Sequence, residues 1–125
     1  MVADGSHDPA ALARKPDVGV DLFAALDVRV GRVVEVEDFP EVRSPAWKVT
    51  VDFGPAVGRL RTSARITNYG RPELLGRQVI GAINLGTKRI AGFDSQFLIL
   101  GAFQPDGTVR LLQVDAGVPP GAPVG

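Results

Sequence analysis

Apolar and polar residues alternate in short runs over most of the chain, and the runs predict strands. In "DVRVGRVVEVEDFPE" Val28, Val30, Val34 and Val36 share one parity while Arg29, Glu35 and Glu37 share the other, so a half-buried strand is expected, with Gly31 marking a bulge or sharp coil. In "PAWKVTVDFG" Trp47, Val49, Val51 and Phe53 alternate with Lys48, Thr50 and Asp52 until Gly54-Pro55 ends the run. That parity puts Trp47 in the core. "GRLRTSARI" predicts a third, more polar strand, and "RQVIGAIN" a fourth that is apolar enough for burial on both faces. A tight connection over 86–95 leads into a fifth strand, "FLILGAF". Beyond the Pro105-Asp106-Gly107 turn, "TVRLLQV" pairs back as a hairpin.

Helical signals are few. Asp21 is placed to cap a short helix over "LFAAL", with Leu22, Phe23 and Leu26 on its apolar side. "RPELLG" reads as one helical turn, opened by Pro72 and stopped by Gly76. The expected class is therefore all-β with minor α. Five or six short strands, a small helix between the third and fourth and a glycine in the first fit a five-stranded Greek-key barrel of the OB type, with a short N-terminal helix and extra C-terminal strands. A β-sandwich of this size has a similar strand count, and the count alone does not separate the two. Residues 1–18 lack a sustained period and are expected to form a flexible N-terminal extension to a domain over 19–125, whose end, "DAGVPPGAPVG", is extended and stiffened by proline.

Composition narrows the chemistry. The 125 residues contain no cysteine, which excludes a disulfide framework and a thiolate nucleophile or ligand, and fits a cytoplasmic protein. No apolar run is long enough to cross a membrane, so no membrane insertion is expected, and the polar, acidic start lacks the pattern of a signal peptide. The single histidine, His7, falls in the extension, where a catalytic role is not expected. Glu35, Glu37, Asp38 and Glu41 follow strand parity and turn composition, without metal-ligand spacing, and Asp94-Ser95 lacks a base. A binding protein with no catalytic residues, no metal and no cofactor is expected.

Charge is distributed unevenly. The formal net charge is zero, with 14 basic and 14 acidic residues, which argues against a general basic coat. Yet between residues 59 and 89 seven cations (Arg59, Arg61, Arg65, Arg71, Arg77, Lys88 and Arg89) face only Glu73. Such a run builds either a local positive patch or a set of arginines that reach into water from strand ends.

The ordered segments "EDFPEVRSPAWKVTVDFG", "SARIT", "KRIAGF" and "VPPGAPVG" resemble the tRNA-binding domain shared by aminoacyl-tRNA synthetase appendages and free-standing dimeric tRNA-binding proteins. Within that family the chain is most similar to export chaperones of the CsaA type. The resemblance covers residues 20–125, and it departs from the family pattern at Gly86-Thr87 and Val114, where prolines are common. It implies an OB barrel, a homodimer, and capture of unfolded or export-bound polypeptides, with tRNA as a further partner. A dedicated, structure-specific tRNA-binding protein is the alternative. By the same resemblance Lys88 and Arg89 match paired cations, and Ser95 and Gln96 a polar pair, of an RNA-binding surface, with Asn84, Arg61 and Arg65 as neighbours. Phe39, Phe93, Phe97 and Phe103 flank loops and strand ends, where they are candidates to line a peptide groove.

Overall fold

A computed structural model of the chain describes residues 7–125. A short helix, α1 (Val20–Ala24), leads into β1 (Val28–Asp38), β2 (Trp47–Asp52) and β3 (Arg59–Ala64); α2 (Arg71–Leu74) precedes β4 (Gln78–Ala82). Beyond it lie β5 (Lys88–Ile90), β6 (Phe93–Ser95), β7 (Leu98–Ile99), β8 (Gly101–Phe103) and β9 (Val109–Leu111). The main sheet has five antiparallel strands in the order β3-β2-β1-β4-β7, and the pairs β5-β6 and β8-β9 form separate hairpins. This is a nearly closed OB-like barrel, as the strand pattern predicts. The expected single strand "FLILGAF" is divided at Leu100, where the chain changes partner: β7 and the Leu100 N–H, bonded to the Ile80 carbonyl at 2.8 Å, pair with β4, whereas β8 pairs with β9.

The parity of β1 is revised by the pairing. Val33 faces Val51 and Glu35 faces Thr50, which leaves Val34 as the extra residue of a bulge. The bulge shifts the phase, so Val33 and Val36 both enter the barrel core while Val34 is only half-buried. Before the bulge, Val28 and Val30 point away from the barrel. They pack with Ile80 and Ala82 against the C-terminal tail residues Val118, Ala122 and Val124, in a second core. The tail is held there as an added edge, with Val30 N–H donating to the Ala122 carbonyl at 2.9 Å and Val124 N–H to the Val28 carbonyl at 2.8 Å. β4 thus lies between two cores, which accounts for its nearly unbroken apolar sequence.

Gly31 is not at the bulge. A Cβ there would overlap Val51 and sit 2.8 Å from the Phe53 ring, and one at Gly81 would sit 2.8 Å from the same ring. Both glycines make room for Phe53, which is fully buried and meets Phe97 edge-on at 5.0 Å. Trp47 sits at the rim of this core, half-buried, with its Nε1–H donating to the Tyr69 carbonyl at 3.1 Å.

The two helices behave differently. α2 follows expectation, with Pro72 in its first turn, Glu73 accepting from Gly70 N–H at 2.8 Å, Gly76 at φ 80° beyond its end and Leu74 fully buried. α1 starts at Val20, one residue before Asp21, which therefore lies in its first turn rather than capping it. It buries no residue: Leu22 and Phe23 remain more than half exposed. Before it, residues 12–19 form no regular structure, and Asp8 to Ala11 make a turn. No helix of the described residues is long and apolar enough to cross a membrane.

Candidate nucleic-acid interface

Because Val49, Val51 and Thr62 point inward, Lys48, Thr50, Arg59, Arg61 and Ser63 project from the opposite face of β2 and β3. β1 contributes to the same face, since Glu37 pairs with Lys48 and Glu35 with Thr50. The β5-β6 hairpin folds onto one end of it. Its turn is tight: Ala91 and Gly92 have φ of 46° and 81°, as a two-residue type I′ turn requires. Phe93 packs against Phe39 at 5.4 Å, and two cations cover the pair. Lys48 Nζ lies 4.9 Å from the Phe39 ring, and the Arg61 guanidinium lies 4.7 Å from the Phe93 ring.

Between the 39–46 loop and this hairpin runs an open groove of about 630 Å³, floored by Ser63, Ala46 and Leu98. Arg43, Arg65 and Lys88 line it, all exposed, with Glu41 as the single acidic residue. None of the three cations lies within 4 Å of a carboxylate among the described residues. Of the rest of the basic run, Arg59 is exposed and without a carboxylate partner among the described residues but does not line the groove, and three others face carboxylates. Arg61 pairs with Glu37 at 3.0 Å, Arg71 with Asp38 at 3.3 Å and Arg89 with Asp94 at 2.7 Å. Arg77 lies 4.8 Å from the Tyr69 ring and does not line the groove. The positive surface is thus smaller than the count of seven suggests, and it includes Arg43, which sequence reasoning missed because Glu41 and Asp38 mask it in a linear count. Its position in the β1-β2 loop was the available signal, since OB barrels bind oligonucleotides with the loops that flank this face.

Three of the expected polar site residues, Asn84, Ser95 and Gln96, make hydrogen bonds within the fold. Asn84 accepts from Asp27 N–H and donates to the Ala25 carbonyl, both at 2.8 Å, and so ties the end of β4 to the segment after α1. Ser95 is buried, and Gln96 is bonded to β3: Gln96 N–H donates to the Arg61 carbonyl at 2.8 Å while its side-chain oxygen accepts Arg61 N–H at 2.9 Å. Thr62 donates to the Phe97 carbonyl at 2.7 Å, so its oxygen accepts from Ser95, whose own oxygen accepts Ser63 N–H at 3.2 Å. These bonds close the barrel where β3 and β7 do not pair. Thr62→Val is expected to destabilise the protein by about 1–3 kcal/mol, because it strands the Phe97 carbonyl and the Ser95 hydroxyl. Gln96→Ala should remove about half as much, its partners lying nearer water. Urea unfolding of both variants checks the order, and equal losses would contradict it.

With this geometry established, the sequence relatives can be placed. The family model described as a putative tRNA binding domain matches residues 28–123. The chain belongs to this family. The tRNA-binding domain is also similar to solved structures. One is a CsaA chaperone protein from Picrophilus torridus, 39% identical with a TM-score of 0.82, and another is chaperone CsaA from Bacillus anthracis, 37% identical with a TM-score of 0.83. Both matches cover all of the solved chain and 87% and 88% of this one. A methionine–tRNA ligase of Xylella fastidiosa is 36% identical over 110 residues, 87% of this chain but 16% of the ligase. The chain therefore spans about a sixth of the length of such relatives.

The phenylalanines of this tRNA-binding domain correct the expected peptide surface. Phe39, Phe93 and Phe97 are 5%, 6% and 3% exposed, the first two under the cations described above and the third against Phe53. Phe103 alone is open, at 46%. The alternation around the hairpin could not distinguish a ring at a strand end that faces water from one roofed by a cation that comes from another strand. Among the described residues no group of three His, Cys, Asp or Glu side chains is placed to hold a metal ion.

Proposed function

We propose that this tRNA-binding domain is a non-catalytic binding protein that holds the tRNA backbone in the groove lined by Arg43, Arg65 and Lys88. The convergence of these three cations, free of carboxylate partners among the described residues, carries the reading. Phosphate contacts supply most of the affinity in such complexes, and a backbone target asks for spaced cations rather than base-stacking rings. Phe39 and Phe93 are buried beneath Lys48 and Arg61, which fits a surface that does not rely on base-stacking rings. The protein works as a homodimer, which brings two grooves to one tRNA. The apolar side chains of α1, exposed among the described residues, support a second copy there.

Bulk tRNA titrated at several salt concentrations tests the reading. Three phosphate contacts per chain give a log-log slope of about −2 to −3, and twice that for a dimer using both grooves. A flat salt response, or equal binding of an unrelated polyanion, would sink it, and light scattering of the same sample must give a dimer mass.

A second reading, reversible capture of unfolded or export-bound polypeptides, is favoured by the likeness to complete CsaA chaperone chains. Apolar capture is expected to respond little to salt, so the same titration with an unfolded polypeptide separates the two.

A further inference from the structure

β3 is paired only with β2, and β7 only with β4; the bonds of Thr62, Ser95 and Gln96 bridge them at one end, and beyond that seam a gap remains between the two strands. A slot of about 450 Å³ lies there, between residues 62–66 and 98–101, with Ala64, Ile66, Leu98 and Ile99 among its apolar walls and Phe103 and Val109 of the β8-β9 hairpin at its outer end. Arg65 is its one charged wall residue.

The face of Phe103 at this slot is already taken by a polypeptide side chain. The His7 ring stacks on Phe103 with centroids 4.4 Å apart and planes 9° apart. It is delivered by the segment before α1, which lies outside the family match. Histidine is an imperfect occupant. Its Nδ1 is buried and has no hydrogen-bond partner among the described residues, whereas an apolar ring in the same place would strand no polar atom.

We infer that this slot is a binding site for an extended polypeptide segment carrying an aromatic side chain, and that the chain's own N-terminal segment around His7 is its built-in competitor. The inference rests on the polypeptide-capture reading and gives it a location. An extended segment in the slot meets the strand backbone beyond the seam, around Arg65 and Ile99, for its main chain and the Phe103 ring for its aromatic side chain, while His7 swings out. A slot closed nine-tenths of the time weakens apparent affinity about tenfold, so the competitor sets a threshold rather than a block.

The test uses the full chain and a fluorescein-labelled nonapeptide of alternating valine and threonine with one central phenylalanine, followed by anisotropy. His7→Ala is expected to tighten binding about tenfold by freeing the Phe103 face. His7→Phe is expected to weaken it severalfold by closing the slot with a better-fitting ring, and Phe103→Ala to abolish both differences. If His7→Ala and His7→Phe bind like the unaltered chain, and a peptide with alanine at its centre binds equally well, the slot is not the site, although capture elsewhere stands. If no variant binds the peptide or an unfolded protein chain, both the slot and the capture reading fall.

Discussion

Phe53→Ala is expected to destabilise the protein by about 3–5 kcal/mol, a large share of the roughly 5–15 kcal/mol that holds a domain of this size folded. The melting temperature should fall on the order of 10 °C or more. The ring is wholly buried, stands edge-on to Phe97, and lies against the bare backbone of Gly31 and Gly81 from two other strands. Glycine backbone cannot move in to fill the space, so the truncation leaves a cavity. The same geometry predicts a coupling. Gly31→Ala alone should lose about 1–3 kcal/mol by overpacking, since its new methyl would press on Val51 and Phe53. In the Phe53→Ala background that loss should shrink markedly, because half of the obstruction has gone. Denaturant unfolding of the four proteins decides. A loss below about 1.5 kcal/mol for Phe53→Ala, or strict additivity with Gly31→Ala, would mean that the ring is not the centre of the core.

Replacing Arg43, Arg65 and Lys88 together by alanine is expected to lower tRNA affinity by about two to three orders of magnitude at low salt, and to flatten the salt slope by about 2–3 per chain. The matched control replaces Arg61, Arg71 and Arg89. It removes the same formal charge but takes cations that already face Glu37, Asp38 and Asp94. Removing them frees three carboxylates, so some long-range repulsion is expected, but the slope should change by less than half as much. Both sets leave the buried hydrogen bonds of the barrel seam in place, apart from the Arg61 backbone, which any residue supplies. If the two triple variants lose affinity and slope equally, binding depends on total charge and not on the groove.

Helix α2 was readable because its signals are local: a proline at the start, a glycine beyond the end and one apolar residue facing inward. β2 was readable because a period of two needs no knowledge of any partner. β1 misled at Val34, since a bulge is defined by the strand opposite and leaves no mark in the residues that carry it. Gly31 carried a real signal with another cause: the backbone is bare there to admit the ring of Phe53, the residue after β2, a requirement visible only after the two strands are paired.

Candidate contacts divide in the same way. Composition and spacing placed Lys88 and Arg65 in a basic run, and the family resemblance added Ser95, Gln96 and Asn84 around them. Folding gave the last three internal partners, one of them 59 residues away, where Asn84 meets Ala25. It also set Arg61 beside Glu37 across 24 residues, and brought Arg43 from an acidic stretch into the groove.

Residue order alone settles the local quantities: strand phase, turn positions, the excess of arginine and the absence of thiol chemistry. Those depend on neighbours a few positions apart. Which cations remain unneutralised, which rings reach water and where the barrel stays open depend on charges and surfaces that meet only when distant strands pair. Electrostatic and hydrophobic energies fall with distance in space rather than along the chain, so only the tertiary structure assigns them.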